Sequence, residues 1–542
     1  MDGTIFLCHA IQLATENIYM KTSKLIIRLN EVGIGDIHIA GGKSASLGEM
    51  ITNLSGLGIR VPGGFVITVQ AYQEFIDYNG LEGKIRSLVA NTDLDNLEEL
   101  RNCGMQVRHL IADGIFPPHL SDQISEAYKE LSDVYKQFNV DVAVRSSATA
   151  EDLPDASFAG QQESFLNICG ANPLLEAVKD CFASLFTDRA ISYRERCGYD
   201  HFQIGLSVCV QKMVRSDLAS SGVAFSLDTE SGFKDVVLIN GCFGLGEMLV
   251  QGAVSPDEFI AFKPTLKQGF QPIIERKLGN KDKKMIYGKR AGERVKIVPT
   301  FAEEQAGFCL SNKMAAELAT WVVIIEDYYS GLRNKWCPMD IEWAVDGVSK
   351  ELFIVQARPE TIHSRKRLNS ITEYSIDDKE REEKIILKGI AVGDKIASGA
   401  VSILQGLVKD EIAGLDFKKG DVLVADMTDP DWEPIMKIAS AIITNKGGRT
   451  CHAAIVAREM GVPAIVGCGN ATEILKNGQM ITASCAEGDA GLVYEGTLSF
   501  NKKEIDLDEL PKTKTPIMLN VASPEMAFNF SSYPALPTRS EI

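Results

Sequence analysis

The alternation of short apolar runs with helical patterns that fills the first two thirds of this chain stops abruptly at IHSRKRLNSITEYSIDDKEREEK, Ile362–Lys384. Before it, from about Leu25 to Thr361, runs such as DVAVRSS, LSVCVQKMV and DVVLING alternate with helix-like stretches. That pattern predicts an α/β or α+β architecture. The interrupting stretch is polar, charge-dense and poor in large apolar residues, so it reads as a linker or a solvated helix. A second block, from about Ile385 to Gly496, sets the short β runs DVLVADM, SAIITN, PAIVGCG and GLVYEG around one helix, CHAAIVAREMG. That helix closes with Arg458 in its last turn, Gly461 after it and Pro463 beyond, the usual stop signals. With 542 residues the chain exceeds one ordinary core, and two to four domains are expected. The expected division is an extension over 1–23, a first domain over 24–362 split near 215, a linker over 363–385, a second domain over 386–500 and a tail over 501–542.

Composition narrows the function. A formal net charge of −17 argues against nucleic acid or an acidic membrane as partner, because both need a basic face; a small anionic substrate remains compatible. The 12 cysteines form no CxxC pair, so a disulfide framework or zinc knuckle is not expected, and reduced thiols in the cytoplasm are. No apolar run reaches the ~20 residues that span a bilayer. The start, MDGTIFLCHAIQLATENIYMK, lacks a basic opening and reads as a poorly ordered extension, not a signal peptide.

NKGGRTCHAA, Asn445–Ala454, carries one of only seven histidines. Paired glycines permit a tight turn and close approach to a ligand. A helix starting just after them aims its free N–H groups and positive dipole end at that point. Arg449 adds a forked donor suited to phosphate oxygens, and Thr450 is placed to cap the helix. A phosphoryl group on His452 would be held by all three. The competing reading is a capping loop with a half-buried structural histidine. A Cys451–His452 thiol pair is disfavoured because adjacent side chains diverge, and a metal site because no second ligand sits at ligand spacing.

Other segments carry weaker signals. AGGKSASLGEM, Ala40–Met50, resembles a phosphate cradle around Lys43 but lacks the GxxxxGK[ST] spacing. Arg145 ends a strand before a small-residue loop in VRSSATAEDLPDASFAGQQES, which fits a phosphate lid or a plain surface loop equally. PMDIEWAVDGVSKELFIVQARPET predicts a β-hairpin around Asp346–Gly347. Strand alternation then lets Asp340 and Glu342 share one face, and Gln356 and Arg358 share a face on the returning strand. Two carboxylates beside an amide and an arginine describe a Mg²⁺–polyphosphate site; a half-exposed hairpin is the alternative. GCFGLGEMLVQGAVSPDEF adds Glu247, and QKMV, Gln211–Val214, offers backbone groups to an adenine edge.

Taken together, GGKSASLGEM, VAVRSSATAEDLPDASFAGQQESFLN, SGVAFSLDTESGF, DIEWAVDG, VQARPET, MTDPDWEPIMKIASAIITNKGGRTCHAAIVAREMGVPAIVGCG and CAEGDAG resemble the phosphoenolpyruvate synthase (pyruvate, water dikinase) family from about Leu25 onward. The resemblance implies a multidomain α+β or α/β fold. An ATP-grasp-like nucleotide-binding domain would be followed by a swivelling β/β/α phosphohistidine domain. It implies that His452 attacks the β-phosphorus of ATP, that AMP leaves, that water removes the γ-phosphate, and that phosphohistidine passes its group to pyruvate. Lys43 and Arg145 would bind phosphates, and Asp340 and Glu342 would hold Mg²⁺ and nucleotide. Gln356 and Arg358 would stand beside them, with Glu247, Gln211 and Val214 as further ATP contacts and Arg449 beside the nucleophile. Thr450 would be the target of a regulatory kinase and phosphorylase; a phosphate there brings about −1.5 to −2 charges next to His452. An imidazole with the ordinary pKa of about 6.5 is mostly neutral, hence nucleophilic, near pH 7.

The family's pyruvate-binding barrel is not expected within these residues, and 501–542 reads as the start of one. A monomer is expected, since the family dimerises mainly through that part. Two other functions fit the same motifs: a dikinase with another acceptor, as in antibiotic phosphotransferases, and a non-catalytic nucleotide-binding phosphocarrier.

Overall fold

The computed structural model describes residues 24–94, 96–149, 163–197, 199–229, 232–288, 294–360, 370–376, 381–404, 417–428, 432–449 and 451–506. The expected extension over 1–23, most of the expected tail, and Thr450 lie outside these residues. The chain forms two compact units: one of Met1–Val214, Tyr287–Lys296 and Phe353–Arg358, the other of Arg215–Ile286, Ile297–Leu352 and Pro359–Ile542. The expected multidomain α+β character is what the structure has.

The first unit is built on a sheet in the order Ile26–Arg28, Gly64–Ile67, Leu206–Lys212, Val142–Ala148, Ser164–Ile168. Every neighbouring pair is antiparallel. Its central strand, LSVCVQK, is buried at every position, which is why the sequence runs apolar without alternating. Helices begin on ordinary caps: the Thr68 hydroxyl accepts from Ala71 N, and the Asn96 side chain accepts from Glu98 N and Glu99 N. Pro118 opens the helix Pro118–Val134, where a missing N–H costs nothing. An aromatic cluster of Tyr72, Phe75, Phe116 and Phe182, with ring centroids 5.1–6.3 Å apart, fills the core between these helices.

In the second unit, Met339–Val345, Ser220–Phe225, Val236–Phe243, Asp257–Phe262 and Ile273–Lys277 follow one another as antiparallel neighbours. The helix Asn312–Arg333 packs on this sheet, capped by Ser311, whose hydroxyl accepts from Met314 N. A buried ion pair is inserted between them: Lys263 Nζ lies 2.5 Å from Glu326 Oε2 and donates to Ser226 O, while Trp336 Nε1 donates to Glu326 Oε1 at 2.9 Å.

The short β runs of the second block close into a barrel that the sequence reading did not anticipate. Its order is Ile385–Val392, Ala464–Val466, Ala441–Thr444, Val422–Ala425, Ile396–Leu404, Met480–Glu487, Ala490–Glu495. The four-residue strands Val422–Ala425 and Ala441–Thr444 are wholly buried and lie parallel to each other. Parallel neighbours need a crossover, and the segment between Thr444 and Ala464 supplies one through the helix His452–Met460. The linker reading needs correction: Ser370–Ile376, inside it, is a strand paired with Phe500–Asp506. Its β-branched and aromatic residues suit a strand, and Glu373 faces Lys503 across the pair, an arrangement of opposite charges that favours the register.

Candidate functional site

His452 is the first residue of its helix, and the chain reaches it by a tight turn. Gly447 sits at φ 108°, a backbone only glycine adopts at no cost, and a Cβ there would lie 2.8 Å from Cys451 Sγ. The helix N-cap is Cys451, whose side chain makes no capping bond; the cap expected of Thr450 lies outside the described residues. Cys451 is buried, and burial pushes its thiol up, which agrees with a nucleophile other than sulfur. At the other end Gly461 takes the left-handed conformation and donates to Arg458 O.

The imidazole has a partner that sequence reading missed. Thr428 Oγ1 stands 3.1 Å from His452 Nδ1. Thr428 belongs to MTDPDWEP, which leaves the barrel strand Val422–Ala425 beside the strand that leads to the histidine loop. The same pair of loops is laced elsewhere: Lys446 Nζ donates to Asp426 Oδ2 at 2.7 Å and Asn445 Nδ2 to Asp426 Oδ1 at 3.2 Å. Both loops emerge at the carboxyl ends of parallel strands, the usual place for a site in such sheets. The signal in the sequence was the hydroxyl three residues past an apolar run, and only strand adjacency gives it meaning.

Arg449 does not point its whole fork at solvent. Its Nη2 is paired with Asp489 Oδ1, in the turn before Ala490–Glu495, and Arg458 Nη1 donates to Arg449 O at 2.5 Å. Glu258, on a sheet strand of the same unit, also feels the Arg449 charge; desolvation nonetheless holds its carboxyl above the usual range. The histidine loop rests on Gly252–Pro256. A Cβ on Gly252, at φ 71°, would come within 2.4 Å of Cys451 Cβ, and one on Gly448 within 3.2 Å of Pro256 Cδ.

In this second unit Asp340 and Glu342 lie two apart on Met339–Val345, both half-buried on the same face. Their strand partners are Phe225 and Val223. Among the described residues no group of three or more His, Cys, Asp or Glu side chains is gathered for a metal. The pair nonetheless fits Mg²⁺, which commonly takes one or two carboxylates and completes its shell with phosphate oxygens and water. Glu247 opens the short helix Glu247–Val250, accepts from Gln251 Nε2 at 2.9 Å, and is raised above the usual carboxylate range by desolvation.

The first unit gathers Lys43, Arg145 and Gln356. The helix Ile37–Leu54 is broken at Gly41, φ 70°, where only glycine fits, since a Cβ would lie 2.3 Å from Ser147 O. The break lets Ser147 Oγ accept from Lys43 N at 3.1 Å, and Lys43 Nζ donates to Ser146 O at 3.2 Å. Arg145 Nη1 donates to Val355 O at 3.3 Å and reaches Gln356 Oε1 at 3.5 Å. Ser46 Oγ ties the same helix to Ala357 O, and Arg358 is half-buried one residue on. Gln211 is 2% exposed and its amide donates to Pro62 O, while Lys212 N and Met213 N donate to Gly63 O and Asp141 O. Those groups serve the fold. Val214 is buried beside them.

Residues 37–379 match the family described as pyruvate phosphate dikinase, AMP/ATP-binding domain, and residues 417–488 match PEP-utilising enzyme, mobile domain. The chain is 58% identical over 516 residues to a phosphoenolpyruvate synthase of Aquifex aeolicus (strain VF5), covering 95% of this chain and 60% of that protein. It is 52% identical over 519 residues to one of Synechocystis sp., covering 95% and 63%, and 51% identical over 516 residues to one of Escherichia coli (strain K12), also covering 95% and 63%. The chain thus spans somewhat under two thirds of the length of these relatives. No helix among the described residues is long and apolar enough to cross a membrane. Since the first match covers well over half of its residues, the chain belongs to the pyruvate phosphate dikinase AMP/ATP-binding domain family.

Proposed function

We propose that this chain performs the nucleotide half of a phosphoenolpyruvate synthase reaction in the cytoplasm. His452 takes the β-phosphoryl group of ATP, AMP and phosphate are released, and the group is destined for pyruvate. The observation that carries the reading is the Thr428–His452 contact at 3.1 Å. A proton kept on Nδ1 and donated to the Thr428 hydroxyl leaves the lone pair on Nε2, the nitrogen that attacks. The helix N-terminus behind His452 stabilises the negative charge that arrives with the phosphoryl group.

The first domain is ATP-grasp-like in this reading. Lys43 and Arg145 hold phosphate oxygens there, with Gln356, Arg358 and Glu247 as neighbours of the nucleotide. Asp340 and Glu342 would hold Mg²⁺, which would supply charge neutralisation on the polyphosphate. The protein's share is positioning and electrostatics, since phosphoryl transfer asks little covalent chemistry of its surroundings. Nucleophilic attack by Nε2 on the β-phosphorus breaks the α–β bridge and expels AMP; water then cleaves the β–γ link and releases phosphate. The barrel acts as the mobile carrier, and Thr450 is the residue a regulatory kinase and phosphorylase would modify. The likeness to phosphoenolpyruvate synthases along 95% of this chain supports pyruvate as acceptor.

The test is incubation with Mg²⁺ and ATP labelled in the β-phosphate. Acid-labile label on His452 with one AMP released per label is expected, and a chelator abolishes both. An unlabelled wild-type protein, or equal labelling of His452→Ala, overturns the proposal. Added pyruvate, assayed separately for phosphoenolpyruvate, tests the acceptor.

A further inference from the structure

We infer that a small monovalent anion of chloride size occupies a pocket around Arg194 in the first unit. Arg194 lies on the helix Asp188–Cys197 and is completely buried. Its Nε donates to His201 Nδ1 at 3.0 Å, and its guanidinium lies over the Phe186 ring, 5.2 Å from the centroid. Both remaining nitrogens, Nη1 and Nη2, are buried without a hydrogen-bond partner among the described residues. The same holds for the Tyr72 hydroxyl and for His201 Nε2. The nearest carboxylate oxygen to that imidazole, Glu195 Oε2, is 3.7 Å away on a mostly exposed side chain, beyond hydrogen-bond reach.

These unpartnered groups share one property. Because His201 Nδ1 accepts from Arg194, its proton sits on Nε2, which is therefore a donor. Burial and the Arg194 charge lower this imidazole to about 4, so it is neutral near pH 7. Burial also raises the Tyr72 phenol, which keeps its proton. The imidazole is spent on the Arg194 Nε donor, with its Nε2–H on the far side of the ring, so the guanidinium Nη groups and the Tyr72 phenol are the donors left beside one positive charge. No carboxylate is among the groups that bear on the Arg194 charge.

A buried charge without an opposite charge is costly, and among the described residues only the His201 hydrogen bond and the Phe186 ring offset it. A water molecule accepts from these donors but brings two hydrogens that themselves need acceptors. An anion accepts without donating and cancels the charge. One positive charge beside a neutral phenol matches a monovalent ion, while a phosphate would leave excess negative charge in the core. The bound ion would tie the helix Asp188–Cys197 to the helix Val69–Tyr78. This site is independent of phosphoryl transfer.

The experiment uses the full chain in sodium gluconate, an anion too large to enter. Chloride or bromide replaces gluconate at constant ionic strength while thermal unfolding is followed. The midpoint is expected to rise saturably with chloride and bromide. Tyr72→Phe should weaken the apparent affinity about tenfold, the equivalent of one hydrogen bond, and Arg194→Met should abolish the effect. Crystals grown in bromide should show one anomalous peak beside Arg194. Equal midpoints in chloride and gluconate, or bromide-grown crystals lacking that peak, overturn the inference. Both readings use the wild-type protein and survive a variant that fails to fold.

Discussion

Thr428 Oγ1 and His452 Nδ1 are 3.1 Å apart, although 24 residues separate them in sequence. Parallel pairing of the strands that precede them creates this contact. If it orients the imidazole and keeps its proton on Nδ1, Thr428→Val slows labelling of His452 by about fivefold, the rate equivalent of the ~1 kcal/mol a hydrogen bond contributes. Thr428→Ser, which keeps the hydroxyl, retains most of the rate. Quench-flow labelling with β-labelled ATP measures both, and thermal midpoints confirm folding. Equal rates for wild type and Thr428→Val would show that the contact is mere packing.

The Arg449–Asp489 pair gives a second expectation. Asp489 is largely exposed, and such pairs contribute only about 0–1 kcal/mol to stability. Asp489→Asn should therefore leave the thermal midpoint nearly unchanged. It releases the Arg449 fork for the oxygens of a phosphoryl group on His452, so phosphohistidine should hydrolyse more slowly. Arg449→Lys, which lacks the planar fork, should accelerate hydrolysis. The lifetime of acid-labile label after ATP removal decides; a shorter lifetime in Asp489→Asn contradicts the assignment.

Legibility followed locality. The helix at His452, its Gly461 stop and the strand that puts Asp340 and Glu342 on one face were all readable, because each rests on residues a few positions apart. The role of Thr428 was not, since its partner is fixed by barrel topology. Ser370–Ile376 looked like a polar linker because its strand partner lies more than a hundred residues onward. Barrel closure was equally hidden: four-residue strands show no periodicity. The inward turn of the Gln211 amide was also hidden, because a strand buried on both faces takes a polar side chain inward only when a backbone carbonyl, here Pro62 O, can accept from it.

The buried Lys263–Glu326 pair makes a sharper stability prediction. Both side chains are under a tenth exposed, and removing one partner strands a charge. Lys263→Met should cost about 3–5 kcal/mol, whereas Lys263→Met combined with Glu326→Leu should recover most of it. Urea unfolding of the single and double variants measures the difference. Trp336, whose indole donates to Glu326, supplies a fluorescent report from the same spot. A double variant as unstable as the single one would mean that the indole and Ser226 contacts, not the charge, hold this junction.

His201 sets a pH dependence in the first unit. Burial first, then the charge of Arg194, lowers its imidazole from 6.5 to about 4; Arg86 lowers it further and Asp200 opposes them. The unfolded chain binds a proton as pH falls through 6.5, while the folded chain resists until about 4. Stability contributed by the neutral imidazole is thus whole above 6.5 and is lost progressively between 6.5 and 4. His201→Gln cannot take up that proton, so its thermal midpoint should fall less steeply across this window. The comparison belongs in gluconate buffer, because an anion beside Arg194 would favour the charged imidazole and shrink the difference. Parallel midpoint-against-pH curves for wild type and variant would place the titrating groups of this window elsewhere in the fold.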